Sequence, residues 1–166
     1  MFPVDTLVAR DGRLHTVSRA YSAASTQLRV TVYDIESEYY GVYGGFGDEV
    51  GQFKWPTSIA SDKKGRIYIS DEQLNRINIF ENDGTPVGCW GVEGSGNGEL
   101  LGPSGIAFDA DDNLFVSDQL NNRIQKFSKN GLLIEDFRIA KDGDAELTLP
   151  WGLTVDIYGF VYVADW

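Results

Sequence analysis

An all-β fold, a β-propeller of four-stranded antiparallel blades, is predicted by three observations. Pro3, Pro56, Pro103 and Pro150 open four comparable segments, the first interval being 53 residues and the next two 47 each. Within every segment apolar residues alternate at period two and turn residues interrupt each run, the pattern of short strands rather than helices. The composition agrees: 19 glycines and 13% aromatic residues, with few stretches spaced as a helix face, favour strands and turns. Tandem four-stranded units that are apolar on both faces must stack face against face, and radial stacking closes them into a propeller.

The repeats justify the elements one by one. Lined up on the prolines, WPTSIASDKKGRIYISD, GPSGIAFDADDNLFVSD and LPWGLTVDIYGFVYVAD keep apolar residues at Ile59, Ile106 and Leu153, and again at Ile67, Leu114 and Val161. NRINIF recurs downstream as NRIQKF, with Arg76 against Arg123 and Phe80 against Phe127. In the first copy LRVTVY takes that place, which puts a six-residue insertion between Ser18 and Arg29. In the second copy, strand a is expected near Ser58 to Ser61 and strand b near Arg66 to Ser70. Strand c is expected near Arg76 to Phe80, and strand d from Thr85 to Trp90. The Asn82, Asp83, Gly84 and Asn130, Gly131 turns supply the positive φ that a tight hairpin needs. The repeats fall at roughly 3–55, 56–102 and 103–149, with a partial fourth at 150–166, all within one domain.

The pattern of a proline, an I-A-x-D strand, a G-x-I-Y-V-S-D strand, an N-R-I-Q-x-F strand and a glycine-rich stretch resembles the NHL repeat. GRIYISDEQLNRINIF and DNLFVSDQLNNRIQKF carry it almost fully, and WGVEGSGNGELLGP is similar to the family's inter-blade linker. The first copy departs from it, with Ser18 where Asp71, Asp118 and Asp165 stand in the others. The resemblance implies a ring of six blades, or of seven as in some relatives, of which about three and a half are present. Two readings follow: a piece of a longer chain, or a ring completed by two copies. In either case isolated chains are expected to self-associate through open blade edges and an apolar blade face.

Residue types that return at the same place in every blade belong to the blade. Asp71 with Arg76, and Asp118 with Arg123, flank the b-to-c loops, where a charge-assisted hydrogen bond would brace the hairpin. The prolines and Gly44, Gly51, Gly91 and Gly98 hold turns. Antiparallel order places the d-to-a linkers and b-to-c loops on one rim. That rim gathers Arg19, Tyr21 of the AYSAASTQ stretch that follows it, Trp55, Glu72, Gln119, Trp151 and Trp166 as the candidate binding residues.

Catalytic residues are not expected. His15, the single histidine, occupies the strand position of Tyr68, Phe115 and Tyr162 and reads as a core aromatic. One histidine and the lone Cys89 do not make the usual zinc set, and no cofactor is expected. The run Asp109, Asp111, Asp112, Asn113 suggests calcium, but Leu114 and Leu120 stand where an EF-hand loop needs glycine and glutamate; it reads as an a-to-b turn. The formal charge of −11 opposes nucleic acid as a partner. Neither a signal-peptide pattern nor a membrane-spanning run is visible, which leaves the cytoplasm as the default expectation. The resemblance then implies a non-catalytic scaffold that binds a protein, peptide or glycan on the loop-rich face. The alternative is part of a propeller enzyme, a lyase or lactonase-type hydrolase, with its catalytic or metal residues largely in other blades.

Overall fold

The computed structural model describes residues 2–19, 28–138 and 146–166. In the first sheet β1 (Phe2–Val8), β2 (Leu14–Arg19), β3 (Arg29–Tyr33) and β4 (Tyr39–Tyr43) lie side by side in chain order, each antiparallel to the next. The second sheet repeats this with β5 (Pro56–Ser61), β6 (Ile67–Asp71), β7 (Arg76–Phe80) and β8 (Pro86–Trp90). The third uses β9 (Pro103–Phe108), β10 (Asn113–Asp118), β11 (Arg123–Ser128) and β12 (Leu133–Phe137), with a 3-10 turn at Gln119–Asn121. β13 (Leu153–Val155) and β14 (Val161–Val163) form a two-stranded fourth unit. The strands expected for the second copy agree with β5 to β8 to within two residues at each end. The first strands β1, β5, β9 and β13 pack next to one another in turn, so the sheets are blades around a common inner face.

Period-two alternation explains the stacking. In β6 every residue is buried, because Ile67 and Ile69 point towards the first blade while Tyr68 points towards the third. One core cluster joins Val17, Val30, Phe53, Ile59, Ile67, Ile69 and Phe80; the next joins Tyr68, Ile77, Leu100, Ile106, Leu114, Val116 and Phe127. Outer strand β8 alternates between exposed and half-buried residues, as an edge facing water should. On the fourth unit Tyr162 is 57% exposed, whereas Tyr68 and Phe115 at the same blade position are buried. That outer face carries Phe160, Ile157 and Tyr158, all exposed.

Three of the four a-to-b turns are each closed by one aspartate, and Ala9 takes that place in the first blade. Asp62 accepts the N–H groups of Lys64 and Arg66, Asp109 those of Asp111 and Asn113, and Asp156 those of Tyr158 and Phe160. The acidic run at Asp109 is therefore a turn in which the first carboxylate is spent on backbone amides. Among the described residues, no group of three or more His, Cys, Asp or Glu side chains is disposed to hold a metal ion.

The aspartate that ends strand b joins the blades. Asp71 accepts from the N–H groups of Lys54 (2.8 Å) and Trp55 (3.0 Å), Asp118 from Leu101 (2.6 Å), and Asp165 from Thr148 (3.0 Å) and Leu149 (2.7 Å). The donors all lie in the linker just before strand a of the same blade. The arginine that opens strand c holds the carbonyl side of that linker. Arg76 donates to Asp48, Glu49 and Gln52, and Arg123 to Gly96 and Glu99. The hairpin brace expected between the two residues forms in the third blade, where Arg123 Nε donates to Asp118 at 2.6 Å with both side chains fully buried. In the second blade it is replaced: Asp71 spends its oxygens on four amides, including Gln73 and Leu74, and Arg76 bonds the linker instead. Burial raises the Asp71 carboxyl above its usual range, while the amides of Lys54, Trp55 and Leu74 pull it back down.

Strand c carries a second brace, of unequal length in two blades. Buried Gln125 accepts from Gly98 N–H (2.9 Å) and donates to the Glu99 carbonyl (2.7 Å) and to Asp118 (3.0 Å). Asn78 occupies the same position in the second blade, one methylene shorter, and is also buried; neither its Oδ1 nor its Nδ2 has a hydrogen-bond partner among the described residues. An unpaired buried amide costs about 1–3 kcal/mol. Asn78→Gln should let the amide reach the linker and raise stability by roughly 1 kcal/mol, read from the midpoint of urea unfolding. An unchanged or lower midpoint would show that the longer side chain does not reach it.

Candidate functional site

The linker brace also places the candidate site. Trp55 is held in the linker by its N–H bond to Asp71, and its own carbonyl accepts from Glu72 N–H at 3.0 Å. The indole and the Glu72 side chain are thus set beside each other by backbone geometry. Arg19, at the end of β2 in the first blade, reaches across to them. Its Nε donates to the Pro56 carbonyl at 2.5 Å, and its guanidinium carbon lies 4.9 Å from the Trp55 ring centroid and 5.9 Å from that of Trp151. A cation at this distance from an indole is worth about 0.5–2 kcal/mol. The guanidinium stands 4.0 Å from the Glu72 carboxylate. Burial raises the Glu72 carboxyl above its ordinary range; Arg19 opposes that and neighbouring Asp71 adds to it.

Two cavities flank this cluster. One, of about 260 Å³, is lined by Trp55, Glu72, Gln73 and Leu120. The other, of about 240 Å³, lies between the inner strands; Asp5, Ser58, Gly105 and Gly152 line it together with Trp151. Those four residues each stand two places after a repeat proline, so they form one tier of the inner face. Ser58 Oγ donates to Asp5 Oδ2 at 2.7 Å, and Ile59 N–H donates to the same oxygen at 2.9 Å. Gly105 has no room for a side chain: an added Cβ would sit 2.6 Å from the Trp151 carbonyl, which accepts the Gly105 N–H at 2.7 Å.

Of the candidate binding residues, Arg19, Trp55, Glu72 and Trp151 come together, from three blades. Gln119 does not join them. It is buried, because it opens the 3-10 turn closed by Asn122 N–H on its carbonyl, and the exposed residue there is Leu120. Trp166 is 85% exposed, its carbonyl accepting from Thr148 Oγ1. Tyr21 and the rest of the insertion from 20 to 27 lie outside the described residues. Leu120, Gln73, Asp5 and Ser58 were not singled out from the sequence. The same register that aligns the prolines marks Asp5 and Ser58, since both differ from the glycines of the later copies.

Four-stranded blades with their first strands gathered at a common inner face define the β-propeller class. Residues 100–127 match the family model of the NHL repeat, and the fold of the chain is that of a β-propeller. Virginiamycin B lyase from Staphylococcus aureus is similar in structure at 18% identity and a TM-score of 0.67, over 96% of this chain and 47% of that one. A chain of a nidogen/laminin complex is similar at 22% identity and a TM-score of 0.68, over 98% of this chain and 56% of that one. A streptogramin B lyase structure is similar at 13% identity and a TM-score of 0.67, over 98% and 48%. At these identities the likeness is one of fold, and the chain spans about half the length of these structures. No curated protein sequence matches it. No helix among the described residues is long and apolar enough to cross a membrane.

His15 lies in the core of the first blade, fully buried like the aromatic residues at its position in the second and third blades. Its Nδ1 is 3.1 Å from the Tyr43 hydroxyl, and Nε2 has no partner among the described residues. Burial lowers the imidazole pKa; Asp11 works against this and Arg13 with it. The folded protein therefore keeps His15 neutral at a pH where the unfolded chain has begun to take up a proton. Stability is full above the unfolded value of about 6.5 and is lost as pH falls from there towards the folded value. The melting temperature should fall between pH 7.5 and pH 5.5, and His15→Phe should flatten that part of the profile. An equal fall in the variant would assign the effect to carboxylates.

Proposed function

We propose that this propeller is a non-catalytic binding scaffold that takes a protein or peptide partner on the rim formed by Arg19, Trp55, Glu72 and Trp151. The convergence of these side chains from three blades carries the reading. Two indoles and an ion pair are fixed by backbone hydrogen bonds on loops over a rigid core, the arrangement in which a few anchors supply most of a binding energy. The similar chain within a nidogen/laminin complex supports the use of this fold in protein assembly. The alternative, part of a lyase or lactonase-type enzyme, draws its support from fold likeness to the two lyases.

Peptides selected by display against the folded chain test the face. Replacing Trp55 and Trp151 by Ala together with Glu72→Gln, with the fold checked by circular dichroism, should weaken selected peptides at least tenfold. Unchanged affinity would place the site elsewhere. The exposed Ile157, Tyr158, Phe160 and Tyr162 support a further reading, that isolated chains self-associate through this apolar blade face. Sedimentation velocity should show concentration-dependent association; a single monomeric species at all concentrations would overturn it.

A further inference from the structure

We propose that the cavity beside Trp55 is a pocket for one lysine or arginine side chain of the partner. This rests on the reading of the rim as a peptide-binding face and deepens it by naming what the pocket selects. Its volume of about 260 Å³ is below the roughly 300–1,000 Å³ of a whole small-molecule site, the scale of a single long side chain.

The lining decides the charge. Glu72 is the ionisable residue in the wall, with its side chain 28% exposed, whereas the Arg19 side chain is 12% exposed and is not part of the lining. At 4.0 Å the guanidinium is beyond hydrogen-bond range of the carboxylate, and the buried Glu72 Oε2 accepts no hydrogen bond among the described residues. The carboxylate therefore keeps acceptor capacity beside the Arg19 charge, and an ammonium or guanidinium in the pocket would take it up in a charge-assisted hydrogen bond. The other walls suit the rest of such a side chain. Trp55, whose ring also holds Arg19 at 4.9 Å, and Leu120, 55% exposed, offer apolar walls to the methylene stem. Gln73 adds an amide acceptor. An anionic side chain would meet Glu72 first and be repelled. The net charge of −11 steers cationic partners towards the protein as a whole. Burial of Glu72 adds a pH signature: binding of a cation needs the ionised carboxylate, so affinity should rise as pH rises through the elevated Glu72 range and fall below it.

The experiment titrates the folded chain with Nα-acetyl-lysine methylamide and Nα-acetyl-arginine methylamide. Nα-acetyl-norleucine methylamide is the uncharged control of similar stem. The readout is the indole N–H resonance of Trp55, assigned by its loss in Trp55→Phe. The basic probes should shift this resonance saturably and norleucine should not. Glu72→Gln should weaken binding at least tenfold and abolish the pH dependence. Equal binding of norleucine, an unaffected Glu72→Gln variant, or no shift with either basic probe would overturn the proposal. Display-selected peptides separate this from failure of the rim itself. If they need Trp55 and Trp151 but contain no basic residue, the rim stands and the cation pocket does not.

Discussion

The carboxylate at the end of strand b carries a load out of proportion to its size. A d-to-a linker must leave the outer edge of one blade and arrive at the inner edge of the next, and its backbone has no sheet partner over much of that path. Asp71, Asp118 and Asp165 accept the amides at the end of the linker, and Arg76 and Arg123 donate to carbonyls upstream. Asp71, Asp118 and Arg123 are buried, which is costly for a charge in isolation, but they are exchanged for backbone groups that would otherwise lack partners. The first blade shows the contrast: Ser18 replaces the aspartate, and its hydroxyl is buried without a partner among the described residues. The clamp holds Trp55 and Glu72 in place by the same bonds that hold the linker, so the candidate site inherits the rigidity of the blade joint.

Stacking is the second constraint. The middle strands are buried on both faces because each blade lends one side to each neighbour, which is why IYISD is buried throughout while PVGCW is not. Tyr162 shows what happens where that cover is lacking among the described residues: a side chain that is core in the second blade is mostly exposed in the fourth unit.

The sequence made the blade legible because its determinants are local and repeated. Alternation, proline spacing and the turn glycines predict β5 to β8 within two residues, and register alone places His15 in the core, where it is buried. The site was legible in part. Strand direction assigns loops to rims, which sufficed to gather Arg19, Trp55, Glu72 and Trp151. It does not say which way a loop side chain turns, and so Gln119 was assigned to the surface although its 3-10 turn buries it and exposes Leu120. The Asp–Arg brace failed in one blade for a similar reason. Sequence spacing brings Asp71 and Arg76 opposite each other, but the choice between a direct ion pair and separate backbone partners depends on where a linker some twenty residues upstream lies.

By itself the sequence determined a blade repeat of about 47 residues, the four-strand order within a blade and the division between repeated scaffold and variable rim, because each follows from period and pattern along the chain. Tertiary structure decided that Arg19 lies between two indoles from other blades, that Glu72 faces a cavity while Arg19 does not, and that Asp5 and Ser58 meet at the inner face. These are distances between residues 36 to 132 positions apart. They depend on how far successive blades rotate about the inner face, a quantity set by the packing of whole sheets.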